Sequence, residues 1–168
     1  MARMRITFLP TYEDYFIVSK AATFNTPTLV LMGLMGLATL ITFIGLIFGF
    51  ITVDPGRMLL FVLPPGMFIV FLVAAPINLR YRARKMASDQ TRFSWILTST
   101  GITIEKNGQK EKLTWDTFGL VQELEQHFIL FYQANRSKYI FLPKRALDGE
   151  EQQQDFRSLL KSKIKKWI

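Results

Sequence analysis

Residues 28–52, TLVLMGLMGLATLITFIGLIFGFIT, and residues 58–79, MLLFVLPPGMFIVFLVAAPINL, carry no charged side chain, and only Val53-Asp54-Pro55-Gly56-Arg57 separates them. At about 1.5 Å rise per residue the first run makes a helix of roughly 37 Å and the second one of about 33 Å. The hydrocarbon core of a bilayer is roughly 30 Å thick. Two such runs joined by so short a turn predict a helical hairpin that enters and leaves a membrane on the same side. The rest of the 168 residues read as ordinary globular sequence, with room for one small domain.

Charge orients the hairpin. The chain carries a net +8. Half of that excess falls in Arg80–Arg92, directly after the second run, where Arg80, Arg82, Arg84, Lys85 and Arg92 face only Asp89. This is the positive-inside pattern. It places both termini in the cytoplasm and the Asp54-Pro55-Gly56-Arg57 turn outside, in the cytoplasmic (inner) membrane of a cell. The apolar run starts too late and runs too long for a cleaved signal peptide.

Small and helix-breaking residues punctuate the spans. Gly45 and Gly49 form a GxxxG, joined by Gly33 and Gly36, and small residues one turn apart let another helix approach closely. Packing within the hairpin is favoured over a homodimer seam. Pro64-Pro65-Gly66 predicts a kink or interruption in the second span, because each proline removes a donor and clashes with the turn before it.

The flanks divide as follows. Residues 1–25 read as a short strand, Arg5–Leu9, and a helix over TYEDYFIVSKAATF. Thr11 can cap that helix, and Glu13 and Asp14 lie in its first turn. Tyr12, Tyr15, Phe16 and Ala22 share one face, which suits either the membrane surface or packing against the soluble domain. Residues 26–79 are the hairpin, 80–91 a basic juxtamembrane linker and 92–168 a cytosolic domain. In the last, the period switches to alternation. Strands are expected over Phe93–Thr98, Ile102–Lys106, Lys110–Thr114, Leu120–Leu124, Phe128–Tyr132 and Lys138–Leu142. Asn107-Gly108 supplies a tight hairpin turn and Trp115 a corner. A helix follows Asp148, which pairs with Glu151 as a cap, and its apolar face is Phe156, Leu159, Leu160, Ile164 and Trp167. The expected architecture is α+β, a small curved antiparallel sheet plugged by its C-terminal helix.

Four features together resemble the YcxB-like proteins, bacterial membrane proteins with two adjacent spans and a cytosolic C-terminal domain. They are the N-terminal strand with Thr11-Tyr12-Glu13-Asp14-Tyr15, the hairpin, the Gly101-Ile102 strand leading to Thr114-Trp115-Asp116, and Tyr139-Ile140-Phe141-Leu142-Pro143-Lys144-Arg145-Ala146 before the last helix. The resemblance implies a pleckstrin-homology-like domain, a partial barrel closed by a helix, with the N-terminal strand joining as a seventh. It implies no activity and no functional residue.

Chemistry is sparse. There is no phosphate loop, dinucleotide glycine fingerprint, nucleophile elbow or HExxH pair. Cysteine is absent, so thiolate chemistry is excluded, and one histidine excludes an all-His or Cys/His zinc site within one chain. His127 reads as a strand-edge residue and not a catalytic base. Glu123, Glu125, Asp148, Glu150, Glu151 and Asp155 read as a solvated face and caps. Trp95 and Trp115 read as core or interface aromatics. The expectation is therefore a non-enzymatic membrane protein without cofactor or metal, and not a nucleic-acid binder, since the basic excess is juxtamembrane. Two functions fit. One is a membrane-anchored binding or scaffold module that engages anionic lipid headgroups or a membrane or cytosolic protein. Its lipid contacts would be Arg80, Arg82, Arg84, Lys85, Lys144 and Arg145, with Arg136 beside them. The other is an accessory subunit of a transport or channel complex, packed through Gly45 and Gly49. Self-association is open in both.

Overall fold

The computed structural model describes residues 4–24, 26–50, 58–135 and 137–168. The Asp54-Pro55-Gly56-Arg57 turn and Arg136 lie outside them. The chain forms two compact units. One combines Met1–Val18 with Ala83–Ile168, and the other is Ser19–Arg82.

In chain order the elements are β1 (Met4–Phe8), α1 (Tyr12–Thr23), α2 (Thr26–Ile47), α3 (Met58–Ser88), β2 (Phe93–Leu97), β3 (Gly101–Lys106) and β4 (Gln109–Thr114). β5 (Phe118–Glu123), β6 (His127–Tyr132), β7 (Tyr139–Pro143) and α4 (Gly149–Lys163) complete the set. The six strands expected after residue 92 are all present, with ends within a residue or two of the alternating pattern. β1 joins them by pairing antiparallel with β2, Ile6 opposite Trp95 and Phe8 opposite Phe93.

One curved sheet was expected, and two are found: β1-β2-β3-β4 and β5-β6-β7, each antiparallel throughout. The break falls at Trp115–Thr117, a 3-10 turn. Trp115 is buried there, and its indole N–H donates to the Thr98 carbonyl at 3.1 Å, which pins the corner so that β5 starts a new sheet. The Asn107-Gly108 turn has φ of 51° and 78° at its central residues, the left-handed pair that a two-residue hairpin requires.

The two sheets and α4 enclose one core. Ile6, Trp95, Ile102, Phe118, Phe128, Leu130, Phe156 and Leu160 all belong to it, and the Phe128 and Phe156 rings meet edge to face at 5.1 Å. Burying side chains of this size is worth roughly 1.5–3 kcal/mol each, so this core is the main stabilising term of the unit. β6 is buried from His127 through Phe131, on both faces. Phe128 and Leu130 enter the core. On the opposite face His127 bonds to Asp14 of α1, and Tyr15 meets Phe141 of β7 edge to face at 5.5 Å. Of the two placements open to the N-terminal helix, packing on the soluble domain thus describes Asp14 and Tyr15.

α4 differs from expectation at both ends. The Asp148 side chain makes no cap bond; instead the Asp148 backbone N–H donates to the Gln152 side chain at 2.6 Å. The helix stops at Lys163, and the next residues extend along β5, with Trp167 bridging Val121 in parallel and Val121 N–H donating to the Lys166 carbonyl at 2.9 Å. Trp167 therefore packs on an added edge and not as a further helix position, while Ile164, whose N–H still donates to the Leu160 carbonyl at 2.8 Å, keeps its place in the core.

Among the described residues two helices are long and apolar enough to cross a membrane, over Thr28–Ile47 and Pro65–Ser88. Thr39 and Thr42 donate to the carbonyls of Met35 and Ala38 one turn back, so these hydroxyls are satisfied inside an apolar helix. α3 runs unbroken through Pro64-Pro65-Gly66, so of the two expected outcomes, a kink or an interruption, the interruption is absent. It also continues through Arg80–Lys85 to Ser88, where a linker was expected.

Candidate functional site

The basic residues singled out by sequence fall into two groups. Arg80, Arg82, Arg84 and Lys85 lie exposed on the last turns of α3. Among the described residues none of them takes part in an ion pair. Lys144 and Arg145 sit in the short 3-10 turn after β7 and are both committed to carboxylates of the same unit. The two groups are different in kind: free cations along a helix end, and cations tied into the fold.

Arg145 belongs to a buried cluster around Asp14. Thr11 and Asp14 form a capping box at the start of α1: the Thr11 N–H donates to Asp14 Oδ2 at 2.6 Å, and the Asp14 N–H donates to Thr11 Oγ1 at 3.3 Å. The same carboxylate takes the Arg145 guanidinium in bidentate fashion and accepts the His127 Nε2–H at 2.8 Å. Arg145 also donates to the Leu9 carbonyl. Asp14 is 2% exposed and His127 1%. Burial alone would raise the Asp14 pKa, but the Arg145, His127 and Thr11 hydrogen bonds together outweigh it and hold the carboxyl well below the usual range. His127 Nδ1 is buried and has no hydrogen-bond partner among the described residues. The arrangement is a clamp that fixes the N-terminal segment and the β7 turn to β6.

A second cluster surrounds Glu123 at the end of β5. Arg157 of α4 binds it through Nε and Nη2, and Lys144 donates to it at 2.8 Å while also lying over the Phe128 ring. The Arg157 hydrogen bond is the largest influence. Against the cost of partial burial, and with Lys144 adding to it, it lowers the Glu123 pKa from an ordinary 4.5 to about 2. Glu123 is thus an internal tie and not the solvated residue its alternation suggests.

The glycine seam divides as well. Gly45 is buried in α2, whereas Gly49 lies past the end of that helix with φ of 71°, the left-handed position at which helices stop. A Cβ on Gly36 would come within 3.2 Å of the Phe68 ring of α3, so this glycine serves packing inside the hairpin. A Cβ on Gly33 would meet nothing within 4 Å. The two members of the GxxxG therefore do different jobs.

Sequence reasoning missed the Asp14 clamp, whose partners lie 113 and 131 residues apart. Two signals pointed towards it: the Thr11-x-x-Asp14 spacing, and a lone histidine leading into an apolar run.

An α+β domain on two membrane-length helices, with its cations and carboxylates tied structurally, defines a class by architecture and not by chemistry. Residues 97–160 match the model of the YcxB-like protein family, the family that the sequence resembles; Gly101-Ile102, Thr114-Trp115-Asp116 and Tyr139–Ala146 fall inside the match, and the N-terminal segment and the hairpin fall outside it. No curated protein and no solved structure matches the chain.

Proposed function

We propose that the protein is a membrane-anchored binding module that binds rather than catalyses. In this reading α2 and α3 cross the cytoplasmic membrane as a hairpin with both termini inside. The two-sheet body is a pleckstrin-homology-like domain that engages a protein or lipid partner at the cytoplasmic face. Four- and three-stranded antiparallel sheets with a C-terminal helix support that fold.

The observation that carries the reading is the pairing of β1 with β2. These strands flank the hairpin in sequence and share one sheet, so both ends of the hairpin return to one compartment. An even number of crossings follows if it enters a membrane. The free cations Arg80, Arg82, Arg84 and Lys85 favour the cytoplasm for that compartment. Lys144 and Arg145, held in ion pairs, are poor candidates for contacting headgroups, so α3 carries the lipid-facing charge. The divided glycine seam weighs against the accessory-subunit reading, which needs a continuous small-residue face.

Photo-crosslinking in cells from single positions of the full chain tests this. Exposed body positions Lys110 and Lys161 should give discrete protein or lipid adducts. Adducts confined to span positions such as Leu34 and Phe43 would favour the accessory subunit and overturn the proposal.

A further inference from the structure

One side of the second unit carries a groove of about 760 Å³, which runs along α3 and takes Thr23 from the end of α1 into its lining. That volume is in the range of built ligand pockets, roughly 300–1,000 Å³. Its lining recurs at helical spacing from Gly66 through Ala74 and Ala75 to Asn78 and Arg82, with Thr23 contributed by α1. Phe24, next to Thr23, meets the Phe71 ring of α3 edge to face at 6.4 Å, so the end of α1 reaches the groove midway along α3. Gly66, Ala74 and Ala75 bring small side chains to the lining, and a Cβ at Gly66 would point into open space, with nothing within 4 Å.

Polarity along the groove is graded. Asn78 and Arg82 lie at one end, and from Ala75 back to Gly66 the α3 lining is apolar. No acidic residue lines it, and Arg80, Arg84 and Lys85 surround Arg82 on the same helix end. From Gly66 to Arg82 the axial distance is about 24 Å at 1.5 Å per residue. One leaflet, hydrocarbon plus headgroup region, is roughly 20–22 Å deep. The groove therefore has the length, the polarity gradient and the charge of a site for one amphiphile lying along the helix.

We propose that this groove holds a single anionic phospholipid of the cytoplasmic leaflet, its acyl chain over Gly66, Ala74 and Ala75 and its phosphate at Arg82 and Asn78. The inference rests on the hairpin being in the membrane, and it adds a stoichiometric, headgroup-selective site that anchoring alone does not require. Arg82 reads the phosphate, and the small lining residues admit the chain.

Native mass spectrometry of the full chain, released from detergent with phosphatidylglycerol or phosphatidylcholine added, tests it. The wild type should retain one phosphatidylglycerol in preference to phosphatidylcholine. Arg82→Gln should lower that preference by roughly tenfold, the effect of losing one charged hydrogen bond to the phosphate. Arg80→Gln, outside the groove, should change it less than about twofold, since a diffuse cation acts through a screened field. Gly66→Leu with Ala74→Leu should abolish the adduct for both lipids. Equal retention of the two lipids, or equal losses in Arg82→Gln and Arg80→Gln, would overturn the site while leaving the membrane hairpin standing. So would a dimer that the filled groove dissociates, since a second copy would then be the occupant. Recovery of the chain in the soluble fraction without detergent would overturn both.

Discussion

Asp14 receives hydrogen bonds from Thr11, His127 and Arg145 while almost wholly buried, so no other side chain can replace it without leaving donors unpaired. Asp14→Asn keeps the shape but turns an amide towards the guanidinium. It should destabilise the body by about 3 kcal/mol, the usual size of a broken buried pair. Thermal unfolding of the full chain in detergent measures this, and a change below about 0.5 kcal/mol would show that the clamp is not formed. Glu123 adds a pH dependence. Its folded pKa is depressed from 4.5 to about 2, so the folded state binds fewer protons than the unfolded one. Its contribution is fully present above pH 4.5 and is lost as pH falls towards 2. Asp14, depressed by the same logic, loses its share below its ordinary value of 3.8. The melting temperature should therefore fall on acidification through this window, and Glu123→Gln should flatten the fall by about 1–2 kcal/mol after solvent screening. An unchanged slope in that variant would contradict the tie to Arg157 and Lys144.

Single elements were largely legible in the sequence because their signals are local. Alternation marked β2 to β7, Asn107-Gly108 marked the β3–β4 turn, and the apolar spacing of Phe156, Leu159 and Leu160 marked α4. What was not legible was non-local. Whether β5 pairs with β4 depends on Trp115 reaching the Thr98 carbonyl, which no spacing reveals. The end of α4 was misplaced because Trp167 keeps helical spacing while the chain after Ile164 is drawn off to pair with β5. One position in β3 gives a sharp test at this scale. A Cβ at Gly101 would lie 2.0 Å from the Leu113 carbonyl oxygen, a backbone atom that cannot swing aside. Gly101→Ala should force β3 and β4 apart and destabilise the body by about 2–3 kcal/mol, read by hydrogen exchange along Gln109–Thr114. Normal protection there would refute the close approach.

For the whole molecule, the informative fact is that a membrane-length hairpin interrupts a sheet between its first and second strands. Composition alone sets the domain boundary at residue 92, whereas the resemblance implies that the N-terminal strand joins the sheet, and Ile6 and Phe8 of β1 are core residues. Residues 92–168 alone should consequently expose the β2 edge and aggregate. Residues 4–24 joined to 83–168 by a flexible linker should fold in solution, as a cooperative melt would show. A stable, monomeric 92–168 fragment would contradict the contribution of β1. The most direct measurement is the sidedness of the hairpin. Because the chain lacks cysteine, single-cysteine variants are unambiguous reporters. Gly56→Cys should react with a membrane-impermeant maleimide in intact cells, and Ser99→Cys and Ser162→Cys only after permeabilisation. Labelling of Ser99→Cys or Ser162→Cys from outside, or protection of Gly56→Cys in intact cells, would contradict a membrane hairpin inserted into a cytoplasmic sheet.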